Sequence, residues 1–330
     1  MSGLRAYGPI LLVIALCALL PLATSSNIIL NGMVTTLIVA LAGIGWNLLG
    51  GYGGQFSFGH AAFFGAGAYA SAILQQRFGV NAYAAFGLAC AIGAGVGWVI
   101  GYLSFRSGLR GSYFALVTLA FAEVFRIIAN ASPFFGGAPG ILLKLDMRPA
   151  NFQFQSRAAY YWIALALVGA AMLATRAIDR ARLGAYLAAI RENENAAKAL
   201  GIDTLVVKLK AITLSAAITA AAGAFYVQYF LLVNSDIGFG TSISIQALIA
   251  PIIGGLGTVF GPLIGAFALH ELGEFAKSLA GGIPGIDVAL FGALLILIIA
   301  FARDGIGGSL MRIAKALGWR RAARTEPVSP

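Results

Sequence analysis

Long apolar runs recur along this chain, separated by short polar connections, and no other feature limits its fold as strongly. A helix crossing the hydrocarbon of a bilayer needs about 20 mostly apolar residues, fewer where the helix is discontinuous. Runs of this kind lie at 9–24, 28–49, 58–76, 82–105, 112–130, 158–175, 209–230, 243–256, 258–279 and 285–302. Of 330 residues, 60% are hydrophobic and 10% charged, against roughly 45–50% apolar and 25% charged in soluble domains. The expected fold is an all-α polytopic membrane protein with about ten transmembrane segments. The runs at 243–256 and 258–279 are short and meet at Gly254-Gly255-Leu256-Gly257. They predict discontinuous helices and a tight turn at or within the membrane, tolerated only where protein or a water-filled path satisfies the freed backbone.

Orientation follows from Lys and Arg, which membrane insertion biases to the cytoplasmic side. With the amino terminus inside and the spans alternating, sixteen of the 22 basic residues fall in the cytoplasm, most of them in 176–208 and in the tail after Phe301. Arg77, Arg126, Lys144, Arg148, Arg157 and Lys277 fall outside or near outer helix ends, where long side chains can snorkel to the interface. The net charge of +10 thus reads as orientation and contact with lipid, not as a nucleic-acid surface. This arrangement predicts one membrane domain over 1–302, an external loop at 131–157, a cytoplasmic loop at 176–208 and a basic cytoplasmic tail at 303–330. In the tail, Leu310, Ile313 and Leu317 at helical spacing suit a helix lying on anionic lipid. The first run, Pro9 to Ala23 behind Arg5, resembles a signal peptide in its basic start and short apolar centre; the favoured reading is an uncleaved first span. Cys17 and Cys90 lie in apolar stretches without metal-ligand spacing and read as packing residues.

The cytoplasmic loop carries the densest charged run in the chain, Arg191-Glu192-Asn193-Glu194-Asn195-Ala196-Ala197-Lys198-Ala199-Leu200-Gly201-Ile202. Leu183, Leu187 and Ile190 set a helical period, no Pro or Gly interrupts Arg191 to Leu200, and Gly201 supplies a stop. Glu194 precedes Lys198 by four residues, the favourable order for a helical ion pair. Ala196 and Ala197 leave the surface flat enough for a partner backbone to approach closely. A chain that keeps such a helix on one side of the bilayer is expected to offer it to a soluble partner; the alternative is an ordinary solvated loop helix.

This run resembles the coupling segment of LivM-type permeases of branched-chain amino acid ABC importers. The likeness extends to Gly51-Tyr52-Gly53-Gly54-Gln55-Phe56-Ser57-Phe58-Gly59-His60, to Gly111-Ser112-Tyr113-Phe114-Ala115 with Thr118-Leu119-Ala120-Phe121-Ala122-Glu123, and to Gly254-Gly255-Leu256-Gly257-Thr258-Val259-Phe260-Gly261-Pro262. Departures are Phe135 before the external Gly-Gly, Ala185-Tyr186 after Gly184, and Ala302-Arg303-Asp304-Gly305 at the close. The resemblance implies a permease subunit of a bacterial inner membrane that binds no cofactor of its own. Two ATP-binding subunits, using ATP and Mg, would dock on Arg191, Glu192, Asn193, Glu194, Ala196, Ala197, Lys198 and Gly201. A second, LivH-type permease and a periplasmic substrate-binding protein would complete the assembly. Independently, the chain contains no Gly-Lys dipeptide, so no phosphate-cradling P-loop is present and the chain is not expected to be an enzyme. Cargo implied by the resemblance is a branched-chain or related hydrophobic amino acid, with urea or a short amide as the alternative.

Candidate path residues follow from polar positions in the apolar spans. Gln55, Ser57 and His60 flank a Gly-rich entry to a span, where irregular backbone and exposed amides could line a path or form a packing and turn motif. His60 alone reads as a satisfied histidine rather than a proton relay. Tyr113, Thr118 and Glu123 share the next motif. A carboxylate at mid-membrane costs on the order of 2.5–3.5 kcal/mol even on insertion scales, so Glu123 is expected to pair with Arg126 three residues on or to face the path and meet a substrate amine. Asp236 reads as a solvated turn residue. His270, Glu271 and Glu274 cluster at helical spacing but lack a third nearby ligand type for a metal site. An autonomous secondary transporter would need paired charges at mid-membrane, and an intramembrane enzyme a nucleophile with its base; neither pattern is evident.

Overall fold

A computed structural model describes residues 4–24, 26–281 and 285–301. Its helices are α1 (Leu4–Ala18), α2 (Leu20–Ala23), α3 (Asn27–Asn47), α4 (His60–Phe78), α5 (Ala82–Arg106), α6 (Gly111–Ala131), α7 (Arg157–Arg180), α8 (Arg182–Ala199), α9 (Thr204–Phe230), α10 (Ser235–Phe239), α11 (Thr241–Gly254), α12 (Gly261–Ala280) and α13 (Ile286–Phe301). Among the described residues, six segments are long and apolar enough to cross a membrane: Asn27–Tyr52, Ala82–Arg106, Gly111–Ala131, Arg157–Arg180, Thr204–Phe230 and Ser235–Gly254. Of the other expected spans, α1 and α13 are shorter helices of 15 and 16 residues. The helix α4 carries Gln75-Gln76-Arg77 in its last turn, and α12 carries His270, Glu271, Glu274 and Lys277. The expected tail helix with Leu310, Ile313 and Leu317 lies outside the described residues.

The long helix α9 packs against α5, α4 and α3; α3 in turn meets α7, α11 and α12, while α1 lies on α7. Small residues make these approaches possible. Gly93, Gly97 and Gly101 repeat every four residues and so form one stripe on α5. A Cβ on any of them would collide with Ala220, Ala216 or Ile212, which repeat every four residues on the antiparallel α9. Between helices immersed in lipid, where burial against hydrocarbon offers little gain, close packing of small residues is the main source of association. Gly95, two positions away, has no neighbour within 4 Å.

Two features depart from the expected layout, the first of them from an all-α chain. The 131–157 connection runs back along the end of α9 and forms a two-stranded antiparallel pair, β1 (Ile141–Leu142) with β2 (Leu232–Val233), in which Ile141 faces Val233. Leu143 N–H adds a hydrogen bond to Leu231 O at 2.7 Å, so backbone groups freed at the helix end find partners in the loop. The segment expected to begin at 243 begins earlier, at Ser235, and bends at Gly240 between α10 and α11.

The glycine stripe gives a controlled prediction. Gly97→Ala forces a methyl group into α9 and should destabilise the folded protein by about 1–3 kcal/mol. The same change at Gly95 meets nothing and should be neutral, or stabilising by up to about 1 kcal/mol, through helix propensity. Thermal unfolding in detergent of the two variants beside the parent checks this; equal effects would contradict the packing.

Candidate coupling site and translocation path

All four Gly-rich or charged motifs meet at one end of the bundle, the end that carries the 176–208 connection. The meeting starts at the foot of α3, where the backbone widens into a π-helix over Leu48–Tyr52. Buried Asn47 projects from this point and satisfies the turn between α11 and α12 from both sides, donating to Thr258 O and accepting from Gly257 N–H, each at 2.9 Å. That turn is the break expected at Gly254–Gly257, and its backbone is satisfied by protein. The approach is so close that a Cβ on Gly51 would overlap the Asn47 carboxamide and lie 2.6 Å from Gly257 N. Arg191 of α8 then reaches into the same spot, donating to Gly51 O at 3.0 Å.

The α8 helix is not the continuous helix expected across Arg191–Leu200. Asn193 adopts extended backbone, φ −158° and ψ 106°, and its side-chain oxygen accepts from Asn195 N–H and Ala196 N–H at 3.0 Å. An Asn that can satisfy two orphan amides is a good N-cap, so it ends one helix and starts another. The second helix stops as anticipated. Gly201 has φ +83°; its N–H bonds Lys198 O at 2.9 Å and Ile202 N–H bonds Ala197 O at 3.1 Å, the pair of bonds that defines a Schellman stop.

Glu194 follows the break and is the hub of the region. Its side chain is only 10% exposed and binds Lys208 at 2.9 Å, Arg110 at 3.2 Å and Lys198 at 3.3 Å. Thr204 donates a further hydrogen bond at 3.2 Å. The expected Glu194–Lys198 pair is present, yet it is the longest of the three ion pairs. Lys208 is 4% exposed and lies 4.8 Å from the Phe105 ring centre, so removing the carboxylate would strand a buried cation. Arg110 immediately precedes α6 and also reaches Asn195 at 3.3 Å. One carboxylate therefore ties the second half of α8 to the starts of α6 and α9. Burial pushes the Glu194 carboxyl up, but Lys208, Lys198 and Arg110 outweigh it and hold the group below the ordinary carboxylate range.

Around this hub the second half of α8 forms an open tip. Glu192, Asn193, Asn195, Ala196, Lys198 and Gly201 are exposed, as is 43% of the Arg191 side chain, while Ala197 is 2% exposed and packs inward. Leu200 is 81% exposed. Periodicity alone did not single out this apolar side chain presented at the end of a charged helix. Arg110 and Lys208 were likewise legible only as basic residues on one side.

The expected path residues divide into two groups. Ser57, His60 and Thr118 are enclosed, at 0%, 0% and 1% exposure. Ser215 Oγ donates to Gly45 O at 2.6 Å and accepts from His60 Nε2 at 2.9 Å, while His60 Nδ1 pairs with Ser57 Oγ at 3.2 Å. This chain of donors assigns the neutral Nε2–H tautomer. Thr118 Oγ1 accepts from Phe58 N–H at 3.2 Å, and Gly59 sits so close to Thr118 O that a Cβ would not fit. These residues lock α4, α6 and α9 together and line no opening in this conformation; half-buried Gln55 bonds back to Gly53 O at 3.2 Å.

Tyr113, 74% exposed, and Glu123, with 42% of its side chain exposed, lie instead on the open face of α6. Glu123 pairs with Arg126 through two bonds of 2.7 and 2.9 Å, and Arg126 also binds Asp236 at 2.9 Å. Asp236 is thus an ion-pair partner in the first turn of α10, not a turn residue facing only water. Beside α10, the first turns of α11 expose Thr241, Ser242 and Gln246. Polar side chains at that spacing within an apolar run were the available signal for this face.

Glu194→Gln should cost several kcal/mol, about 3–5 for a broken buried pair, whereas Glu194→Gln with Lys208→Met should recover much of the loss. Because the folded Glu194 titrates below its unfolded value, its contribution is complete above about pH 4.3 and is lost as pH falls through the lower folded value. Unfolding measured against pH should show this acid decline in the parent and not in Glu194→Gln.

Comparison with known proteins bears on this geometry. Residues 28–299 match the family described as branched-chain amino acid transport system / permease component. The high-affinity branched-chain amino acid transport system permease protein LivM of Salmonella typhimurium is 28% identical over 280 residues, covering 75% of this chain and 65% of that protein. LivH of Escherichia coli, named as a permease protein of the same kind of system, is 27% identical over 296 residues, covering 84% of this chain and 94% of that protein. BraD of Pseudomonas aeruginosa, likewise named, is 25% identical over 304 residues, covering 85% and 94%. The chain spans 65% of the length of the LivM proteins of Salmonella typhimurium and Escherichia coli. No solved structure matches it. The match across 28–299, together with several helices long and apolar enough to span a bilayer, makes this chain a multi-pass member of the branched-chain amino acid transport permease family.

Proposed function

We propose that the chain is the permease subunit of an ATP-driven importer for branched-chain or related hydrophobic amino acids. In this reading residues 1–302 form a single permease domain with about ten spans, and both termini and 176–208 lie in the cytoplasm. The basic tail at 303–330 lies on anionic lipid. Two separate ATPase subunits, which bind and hydrolyse ATP with Mg, engage the tip of α8 over Arg191–Gly201. A second permease of the LivH kind completes the core in a bacterial inner membrane, and a periplasmic binding protein delivers cargo to the opposite face. The relatives' names support the cargo class.

The observation that carries this reading is the contrast between the exposed tip of α8 and its rigid foundation. A surface that must take force from a partner needs contact residues in the open, here Glu192, Asn195, Ala196, Lys198 and Leu200. It must also be fastened to what moves, here α6 and α9 through Glu194 and the π-helix through Arg191. Rigid fastening allows closure of the ATPases to rock packed helices between two discrete arrangements. Tyr113 and Glu123 on the open face of α6 then stand as path residues, and Gln55, Ser57, His60 and Thr118 as the packing that keeps the base of the path in register.

Leu200→Asp and Gly201→Pro should each lower ATP-driven uptake by roughly tenfold, a loss within the range of coupling between linked sites, with unchanged amounts of chain in the membrane. ATPase co-purification and uptake into proteoliposomes measure both effects. Unchanged uptake in both variants would contradict a docking role, and transport by the chain alone without ATP would overturn the importer reading.

A further inference from the structure

At the opposite end of the bundle from the α8 tip, α4, α5 and α6 part to leave a groove of about 370 Å³. Its wall runs along α4 from Ala66 to Phe78, a span of about 18 Å at 1.5 Å per residue. Ile92 and Val96 of α5 form one side, and Phe125 and Ile128 of α6 the other. Phe134 and Phe135, from the 131–157 connection, close the mouth. Every lining side chain is apolar except Tyr69, whose hydroxyl is buried and has no hydrogen-bond partner among the described residues. An amino-acid cargo could not settle here, because its ammonium and carboxylate would go unpaired at a cost of several kcal/mol or more. The groove follows the helix axis for roughly the depth of one leaflet, about half of a 30 Å hydrocarbon core.

Arg77 stands at the mouth, in the last turn of α4. Its guanidinium lies 5.1 Å from the Phe134 ring centre and donates to Pro133 O at 2.9 Å. It has no carboxylate partner among the described residues. A guanidinium has five N–H donors, so several remain for a phosphate, which Arg can bind bidentately. A fixed cation at the interface, above an apolar slot one leaflet deep, matches the two parts of a phospholipid.

We propose that this groove is a phospholipid site: one acyl chain lies along α4 between α5 and α6, and the phosphate is held by Arg77. The lipid belongs to the leaflet on the side of the 131–157 connection, and an anionic headgroup binds in preference to a zwitterionic one. The site is independent of the α8 tip and of the cargo.

The test uses the full chain, purified with its bound subunits and exchanged into nanodiscs of either phosphatidylglycerol or phosphatidylcholine. Lipid retained after transfer to a delipidating detergent is counted by native mass spectrometry. One phosphatidylglycerol per chain should be retained. Arg77→Gln should reduce its retention roughly fivefold, the equivalent of one basic side chain near an anionic surface, and Arg77→Lys should keep most of it. Ala70→Phe, which fills the groove without touching Arg77, should remove the lipid, while Leu88→Phe on the exposed face of α5 outside the groove should not. Retention unchanged in Ala70→Phe, or lost equally in Leu88→Phe, would overturn the site. A photoreactive acyl chain gives a second readout: labelling at Phe125, Ile128 and Phe134 supports the proposal. Capture of a neighbouring subunit by a photoreactive group placed at Ala70 would overturn it in favour of a protein interface.

Discussion

The carboxylate of Glu194 is the interaction on which the architecture of this end of the molecule depends. A buried ion pair is seldom a net source of stability, because desolvating two charges costs about as much as their attraction returns. It is strongly directional, however, and losing one partner is costly. Glu194 gathers Lys208 from α9, Arg110 from the start of α6 and Lys198 from its own helix. The arrangement makes relative movement of these elements expensive, since any slip exposes Lys208 without a counter-ion beneath Phe105. Rigidity of this kind suits the proposed transmission of force better than apolar contact, which can slide.

The rest of the end follows from satisfying broken backbone. A π-helix, a turn between α11 and α12 and a break at Asn193 would each be costly at a membrane face if left unpaired. Asn47, Arg191 and Asn193 satisfy them with side chains. Gly51 is required where Asn47 and the 254–260 turn press together. The irregularities therefore support one another: the space opened by one is filled by a polar group from the next. Motifs separated by as many as 211 residues in sequence, such as Asn47 and Thr258, are parts of one construction.

Helix positions and the break at Gly254–Gly257 were legible in the sequence because hydrophobic length and glycine clustering report directly on span and turn. Gly201 was legible as a stop for the same reason. The interruption at Asn193 was not, because no Gly or Pro marks it and Asn caps a helix only when the chain around it bends. The partners of Glu194 were hidden by distance: Lys198 lay four residues away and was found, whereas Arg110 and Lys208 became neighbours only through packing. The stripe of Gly93, Gly97 and Gly101 was present at a readable spacing, but its meaning required the facing residues of α9, Ala220, Ala216 and Ile212. Among the path candidates, Ser57, His60 and Thr118 were recognisable as polar residues in apolar surroundings. Only burial separates a lock of this kind from a lining.

The central claim is that the tip of α8 and the start of α6 move as one body. It is tested most directly by a spin-label distance between Glu192→Cys and Ser112→Cys in the assembled transporter, with Cys17 and Cys90 replaced by Ala. The distance should be the same without nucleotide and with ATP trapped on the ATPases, and should become variable when Glu194→Gln is added. A distance in the parent that shifts by several ångströms between the two nucleotide states would contradict the account.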